Sequence, residues 1–286
     1  MNFAEVKALA FDLDGTLLAP GAVLSERTKK AIRACVDRGL KIIISTGRAA
    51  EAAEKFRLAL DISGPMIYFN GAVVADMPRG DILNFCYLDK KTADICVDLS
   101  REYKCFCLVY LPGSEGIKKT RLVGEYDCPE RDVYYKHTGL LAEIVDIKDE
   151  LNRQVSLHGE ASSCIKLMFL VEPDVQDIIR PKLEKLLGNS VYMTRTLYNF
   201  LEVMNANVSK GKGLSFVMDH LSLKKEEVIA FGDDENDIPM FSVAGFSAAP
   251  SNAKDSVKSR AGMVIGSNAD DGVAKFLEEL SLGKTP

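Results

Sequence analysis

Short apolar runs alternate with amphipathic stretches along most of the chain. The first run, residues 6–11, stops abruptly at Asp12-Leu13-Asp14-Gly15. Apolar runs bounded by turn residues read as strands buried on both faces, as in parallel sheets. Ser25 then caps a helix that reaches Gly39, with Ala31, Ile32, Cys35 and Val36 as its apolar stripe. Gly39 suits the left-handed closing position. A second buried strand over 40–44 ends in Ser45-Thr46-Gly47-Arg48, just before a helix over 49–60. Strand–helix–strand in about thirty residues is the unit of a parallel sheet. A third strand, 66–69, reaches Asn70-Gly71, a turn pair that opens a hairpin through 72–75.

From about residue 87 the rhythm changes. The pattern predicts a helix over 90–103, a strand over 106–110 and then a loop over 112–124, rich in Gly, Lys and Glu. Weakly periodic residues 126–137 precede a helix around 140–151, a strand over 165–171 and a helix over 175–187 closed by Gly188. Strands over 191–196 and 200–204 follow, and this whole stretch reads as an α+β insert. At Asn205 the strand–helix rhythm returns, with a helix from Ser209-Lys210-Gly211 to Leu221 and a buried strand over 228–231. That strand ends in Gly232-Asp233-Asp234-Glu235-Asn236-Asp237. Further elements are predicted over 246–249, 253–260, 263–265 and 273–280.

Bulk properties narrow the classes. The 286 residues allow two domains, and 47% hydrophobic with 27% charged residues is ordinary for a globular protein. A net charge of −5 leaves no basic footprint for nucleic acid. No run approaches the ~20 apolar residues of a membrane span. The early start of the first strand predicts no secretory leader. Seven scattered cysteines suggest reduced thiols, with Cys105 and Cys107 spaced as on a strand rather than as a zinc pair. The expected setting is cytoplasmic, or organellar after processing, and the expected state a monomer or weak homo-oligomer.

Open parallel sheets hold their ligands beyond the carboxyl ends of the strands. Strand alternation would aim Asp12 and Asp14 to the same side. Like charges this close need a cation, a proton or a division of labour. With Asp233 and Asp237, a hydroxyl from Thr46 or Ser45, the Asn236 amide and a lysine, the strand ends offer an oxygen-rich set suited to Mg²⁺ and a phosphate ester. Because no Ser–His or Cys–His pairing is evident, an aspartate is the best nucleophile on offer. His137, His158 and His220 lack partners at metal spacing, and Tyr103, Phe106 and Tyr110 read as insert core.

Four motifs in this order, Asp-Leu-Asp-Gly-Thr, Ser-Thr-Gly-Arg, Ser-Lys-Gly and Gly-Asp-x-x-Asn-Asp, resemble those of the haloacid dehalogenase (HAD) superfamily of aspartate-dependent phosphatases. The placement of the insert resembles the C2-type cap of the Cof-type sugar-phosphatase branch. Taken together the resemblance spans essentially the whole chain, although the cap matches only in placement and element order. It implies an α/β fold: a Rossmann-like parallel-sheet core (1–86 and 205–286) with an inserted α+β cap (87–204).

The resemblance also implies a Mg²⁺-dependent phosphatase that hydrolyses small phosphorylated metabolites, sugar phosphates or similar, through a phosphoaspartate. Asp12 would attack phosphorus and bind metal. Asp14 would serve as general acid and then base in a crowded acidic site, its carbonyl also on the metal. Thr46, chosen over Ser45 by motif alignment, would hydrogen-bond the phosphoryl group with Gly47 N–H. Lys210, with Lys212 as competitor, would join Asp12 to the phosphate. Asp233 and Asp237 complete the metal set, directly or through water, while Asn236 and Asn70 stand near the phosphate. Asp234 points outward on this view. Residues 248–253, Ala-Ala-Pro-Ser-Asn-Ala, depart from the family pattern and predict altered backbone near the site. Arg121, Arg195, Tyr198 and Asn199 are candidates for the cap's substrate face. The rivals are a phosphotransferase or sugar-phosphate mutase, and a non-catalytic metabolite-binding protein. A dehalogenase fits less well, because it does not require Asp14.

Overall fold

A computed structural model describes residues 3–113, 116–159, 163–196 and 199–281, the side chains of residues 116, 137, 158 and 196 excepted. Tyr198 and the side chains of His137 and His158 therefore lie outside the described residues. The chain forms two compact units. One comprises the residues up to Ala49, Ala53–Asn84 and those from Ser209 on; the other is Phe85–Val208 with Ala50–Ala52.

The first unit is built on a parallel sheet of five strands in the order Met263–Ile265, Phe246–Pro250, Val228–Phe231, Ala8–Phe11, Lys41–Ile44. All four pairings are parallel. The two central strands are buried along their whole length, which is why they read as unbroken apolar runs. On one face, small residues (Ala8, Ala10, Ala230) admit Leu214 and Val217 of helix Lys210–His220 and Met240 of helix Ile238–Val243. Phe11 stacks on its register partner Phe231, and Phe276 of helix Gly272–Ser281 meets Phe231 edge-on. Helix Glu26–Asp37 is capped by Ser25, whose Oγ accepts the Thr28 N–H, as expected. Strand Gly64–Tyr68 joins the end of Lys41–Ile44 by a bridge between Ser45 and Ile67, then turns at Asn70-Gly71 into Val73–Met77. A further strand, Asp81–Phe85, was not foreseen, because its mostly exposed residues carry no apolar alternation.

The second unit is a six-stranded sheet in the order Val191–Thr196, Phe200–Asn205, Lys166–Leu170, Phe106–Gly113, Gly116–Gly124, Glu143–Ile144. Val97, Leu151, Ile179 and Leu183, from helices Lys90–Glu102, Ile147–His158 and Pro173–Leu187, pack with Cys107, Val109, Phe169 and Val203 of the sheet. Two sequence expectations fail here. Most of the loop predicted over 112–124 is strand, Gly116–Gly124, paired antiparallel with Phe106–Gly113. Lys118, Lys119 and Arg121 hide the strand pattern, though Leu122 and Val123 are buried in it. The helix predicted around 140–151 is instead strand Glu143–Ile144 and helix Ile147–His158, and the weakly periodic stretch before it is helix Pro129–Thr138. Proline opens that earlier helix, and Gly139, in the left-handed region at φ 75°, ends it.

The α/β class with an α+β insert stands as expected. No helix among the described residues is long and apolar enough to cross a membrane.

Candidate active site

The predicted polar residues gather at the carboxyl ends of the core strands. Asp12 follows Phe11 directly, and its N–H donates to Phe231 O at 3.0 Å, so the backbone is still held by the sheet where the carboxylate begins. The Asp12 side chain is only 7% exposed. Lys210, in the first turn of a helix capped by Ser209, reaches Asp12 Oδ1 at 2.5 Å and Asp237 Oδ1 at 2.6 Å. The other lysine, Lys212, is exposed, and its N–H donates to the Ser209 cap. Burial disfavours the charge on Lys210, but Asp12 and Asp237 together outweigh it and hold the ammonium above the usual lysine range.

Asp237 is fully buried and both its oxygens are engaged. Oδ2 accepts from the N–H groups of Asp233 (2.9 Å) and Asp234 (3.0 Å), while Oδ1 takes Lys210. Its work is to fix the turn that carries Asp233. Thr16 Oγ1 donates to Asp233 Oδ1 at 2.8 Å and so aims the second carboxylate. Gly15 is held at φ 81°, and a Cβ there would stand 2.2 Å from Asp233 Oδ2. Both the turn and the close approach require glycine.

Carboxylate oxygens of Asp12, Asp233 and Asp237 lie within 4.8 Å of one another. Burial pushes the Asp12 carboxyl well above the usual range, against the pull of Lys210, with Asp237 and Asp233 adding to the rise. Asp233 is lifted to about 6, first by burial, with the Thr16 hydrogen bond opposing and Asp237 adding. One lysine therefore does not balance the negative charge gathered here. An all-oxygen donor set with uncompensated charge fits a hard divalent cation.

Asp14 departs from expectation. The strand ends at Phe11, so strand alternation no longer governs the carboxylate two residues past Asp12. Its side chain is 52% exposed and does not join the acidic cluster. Both its oxygens are instead taken by the Arg48 guanidinium, Nε to Oδ2 at 2.6 Å and Nη2 to Oδ1 at 2.5 Å.

The second and third strand ends build a polar cradle. Thr46 is buried, and its Oγ1 accepts the Arg48 N–H at 3.2 Å, leaving its own hydrogen to give. Ser45 Oγ is also buried and has no hydrogen-bond partner. Asn70 lies in the left-handed region at φ 57°, with its amide against Gly47. Asn70 Oδ1 accepts from Asn236 Nδ2 at 2.9 Å, while Asn70 Nδ2 is a buried donor with no acceptor. An unmet buried donor is costly, and an anion here would satisfy it.

Sequence reasoning missed Thr16, Arg48 and Asn252. Thr16 and Arg48 stand inside the motifs already singled out. Asn252 Nδ2 donates to Gly15 O at 2.8 Å and its Oδ1 accepts from Asn268 N at 2.9 Å, pinning the acidic loop. Within the unusual stretch 248–253, residues 248–250 continue strand Phe246–Pro250 in register with its neighbours, and 251–253 form the turn that follows. Asp234 points outward to Lys254 at 2.6 Å. His220 stacks on Phe216, and Phe106 and Tyr110 are buried on the cap sheet. Of the cap candidates, Arg121 is ion-paired to Glu143 and Glu150, Arg195 to Asp177, and the Asn199 carbonyl accepts the Val171 N–H.

Acidic strand ends, a buried lysine and an unmet amide donor on a parallel sheet define an α/β protein with a site suited to a divalent cation and an anion. Residues 9–277 match the haloacid dehalogenase-like hydrolase family, and the chain belongs to it. Among curated relatives it is 27% identical over 274 residues to a chloroplastic endoribonuclease YBEY of Arabidopsis thaliana, covering 92% of this chain but 44% of that protein. It is 28% identical over 275 residues to the Bacillus subtilis protein named 5-amino-6-(5-phospho-D-ribitylamino)uracil phosphatase YitU, covering 95% of this chain and 96% of the other. Among solved structures, a Thermotoga maritima protein superposes with a TM-score of 0.81 at 26% identity, over 96% of this chain and 97% of that one. The expected enzyme class, phosphoric monoester hydrolase, is the one the phosphatase relatives carry.

Proposed function

We propose that the protein is a Mg²⁺-dependent phosphatase of small phosphorylated metabolites that works through a phosphoaspartate on Asp12. The observation that carries this reading is the buried pairing of Asp12 with Lys210 beside the unmet Asn70 donor. Asp12 Oδ2 attacks phosphorus while Lys210 holds Oδ1 and offsets repulsion between carboxylate and phosphoryl oxygens. Thr46 O–H, Gly47 N–H and Asn70 Nδ2 donate to the non-bridging oxygens, with Asn236 holding Asn70 in place. Asp14 gives its proton to the leaving alcohol, and as carboxylate it then takes one from the water that opens the phosphoaspartate. Asp12 and Asp233, with the Asp14 carbonyl and with Asp237 behind them, would hold the cation. When bound, it neutralises the phosphoryl oxygens and the gathered carboxylates.

The relatives named for 5-amino-6-(5-phospho-D-ribitylamino)uracil and for pyridoxal phosphate make those esters, beside sugar phosphates, the first substrates to try. Hydrolysis is favoured over transfer to a second sugar phosphate, which would need free cations in the cap, because Arg121 and Arg195, the two cations named for the cap's substrate face, are committed to ion pairs.

The test is phosphate release from such a panel with Mg²⁺, with EDTA, and in Asp12→Asn. Release from some esters, lost in EDTA and reduced about 10³-fold or more in Asp12→Asn, is expected. Release that survives Asp12→Asn refutes the mechanism. No release from any ester by a folded, Mg²⁺-binding protein refutes the phosphatase reading.

A further inference from the structure

We propose that Arg48 is a positioning residue for the proton transfers of Asp14, an inference that rests on the phosphatase reading above. A half-exposed aspartate beyond a strand end can rotate about its side-chain torsions. General acid catalysis needs it held within hydrogen-bond reach of the leaving oxygen. The Arg48 fork supplies that restraint through two charge-assisted hydrogen bonds of 2.6 and 2.5 Å.

Arg48 is itself held at three further points. Its N–H donates to Thr46 Oγ1 at 3.2 Å, its carbonyl accepts the Phe69 N–H at 3.1 Å, and its guanidinium lies 5.3 Å from the centre of the Phe56 ring. The second and third strand ends thus set the position of a carboxylate that follows the first.

The chemistry favours the same role. As the alcohol leaves, the O–H bond of protonated Asp14 breaks, a new O–H bond forms on the leaving oxygen, and the electron pair remains on the carboxylate. That carboxylate is the form both of whose oxygens accept from the Arg48 fork. The arginine therefore stabilises charge that develops during the transfer. A lysine offers a point charge in place of the planar fork and would replace it only in part.

Leaving-group dependence separates this role from a structural one. 4-Nitrophenolate departs readily without a proton, whereas phenolate leaves poorly and depends on the acid. The kcat/KM of such esters reports the steps up to departure of the phenolate. Arg48→Met should lower kcat/KM for phenyl phosphate about 10-fold or more beyond its effect on 4-nitrophenyl phosphate, within the range a general acid supplies. Asp14→Asn should show the same trend more strongly, and Arg48→Lys should fall between Arg48→Met and wild type. If Arg48→Met is poorly folded by its thermal midpoint, Arg48→Lys and Arg48→Gln carry the comparison. Equal losses on the two esters, as from a lost phosphate contact, overturn the inference; so does no loss on either. A wild-type enzyme inactive on both aryl esters and on the whole metabolite panel overturns the phosphatase reading itself, and that failure is seen before any variant is made.

Discussion

Replacing Lys210 by methionine isolates the charge balance of the site. The lysine side chain is 1% exposed and sits 2.5 Å from Asp12 and 2.6 Å from Asp237, which are 7% and 0% exposed. Methionine keeps most of the buried stem, so little cavity is created. What is lost is the one cation shared by two buried carboxylates. Breaking a buried ion pair by removing one partner costs about 3–5 kcal/mol, most of it the charge left behind. That penalty depends on pH. Without the lysine, the Asp12 carboxyl rises further above its value in the unfolded chain. A carboxyl raised on folding favours the folded state at pH values below its unfolded pKa, and this benefit is lost as pH rises through the folded value. Lys210→Met should therefore unfold about 3–5 kcal/mol more easily than wild type at pH 7.5, and by at least about 1 kcal/mol less than that at pH 5.5. Urea unfolding in EDTA, followed by circular dichroism at both pH values, measures it, with equal m-values securing the comparison. Adding Asp12→Asn to Lys210→Met should recover part of the loss. A deficit that does not change with pH, or one below about 1 kcal/mol, would mean that Lys210 does not neutralise this pair.

Two further predictions follow from the same geometry. Asp233 is lifted to about 6 and burial pushes Asp12 well above its usual range, so the cation competes with protons as pH falls. Stabilisation by millimolar Mg²⁺ in a thermal melt should grow from pH 5 to pH 7.5, and a flat response would count against these carboxylates as the ligands. Gly15→Ala places a methyl 2.2 Å from Asp233 Oδ2 on a backbone with φ 81°. It should cost about 1–3 kcal/mol in stability and also weaken the Mg²⁺ effect, whereas Gly39→Ala, with φ 86° but no atom within 4 Å, should cost stability alone.

Much of the site was legible because its residues stand in short contiguous runs just after buried strands. Asp12 and Asp233 could be named without knowing the strand order, since a parallel sheet brings its strand ends together, whereas Lys210 was named only through the resemblance, with Lys212 left as its competitor. Arg48 was visible as a letter of its motif but not as the partner of Asp14. That contact depends on how far the loop after Phe11 swings once strand alternation stops. The Asn70–Asn236 pair was half legible: both residues were nominated, but the unmet donor emerges only when the two amides meet. In the cap, the lysine-rich strand Gly116–Gly124 was lost because its pairing is with a neighbour rather than a pattern of its own.

The core is made from two stretches of chain with the whole cap between them. Asp12 and Lys210 lie 198 positions apart, and Thr16 and Asp233 217 apart. At the ~5–20 residues per second of protein synthesis, the gap between Asp12 and Lys210 amounts to roughly 10–40 s. For that time the first strand leaves the ribosome without its neighbour Val228–Phe231 and without its counter-ion. Residues 85–208, with Ala50–Ala52, form the second compact unit, all of which is synthesised before Ser209. The nascent chain thus completes its cap before Asp12 has its counter-ion, and the proposed catalytic set is whole only with the last quarter of the chain.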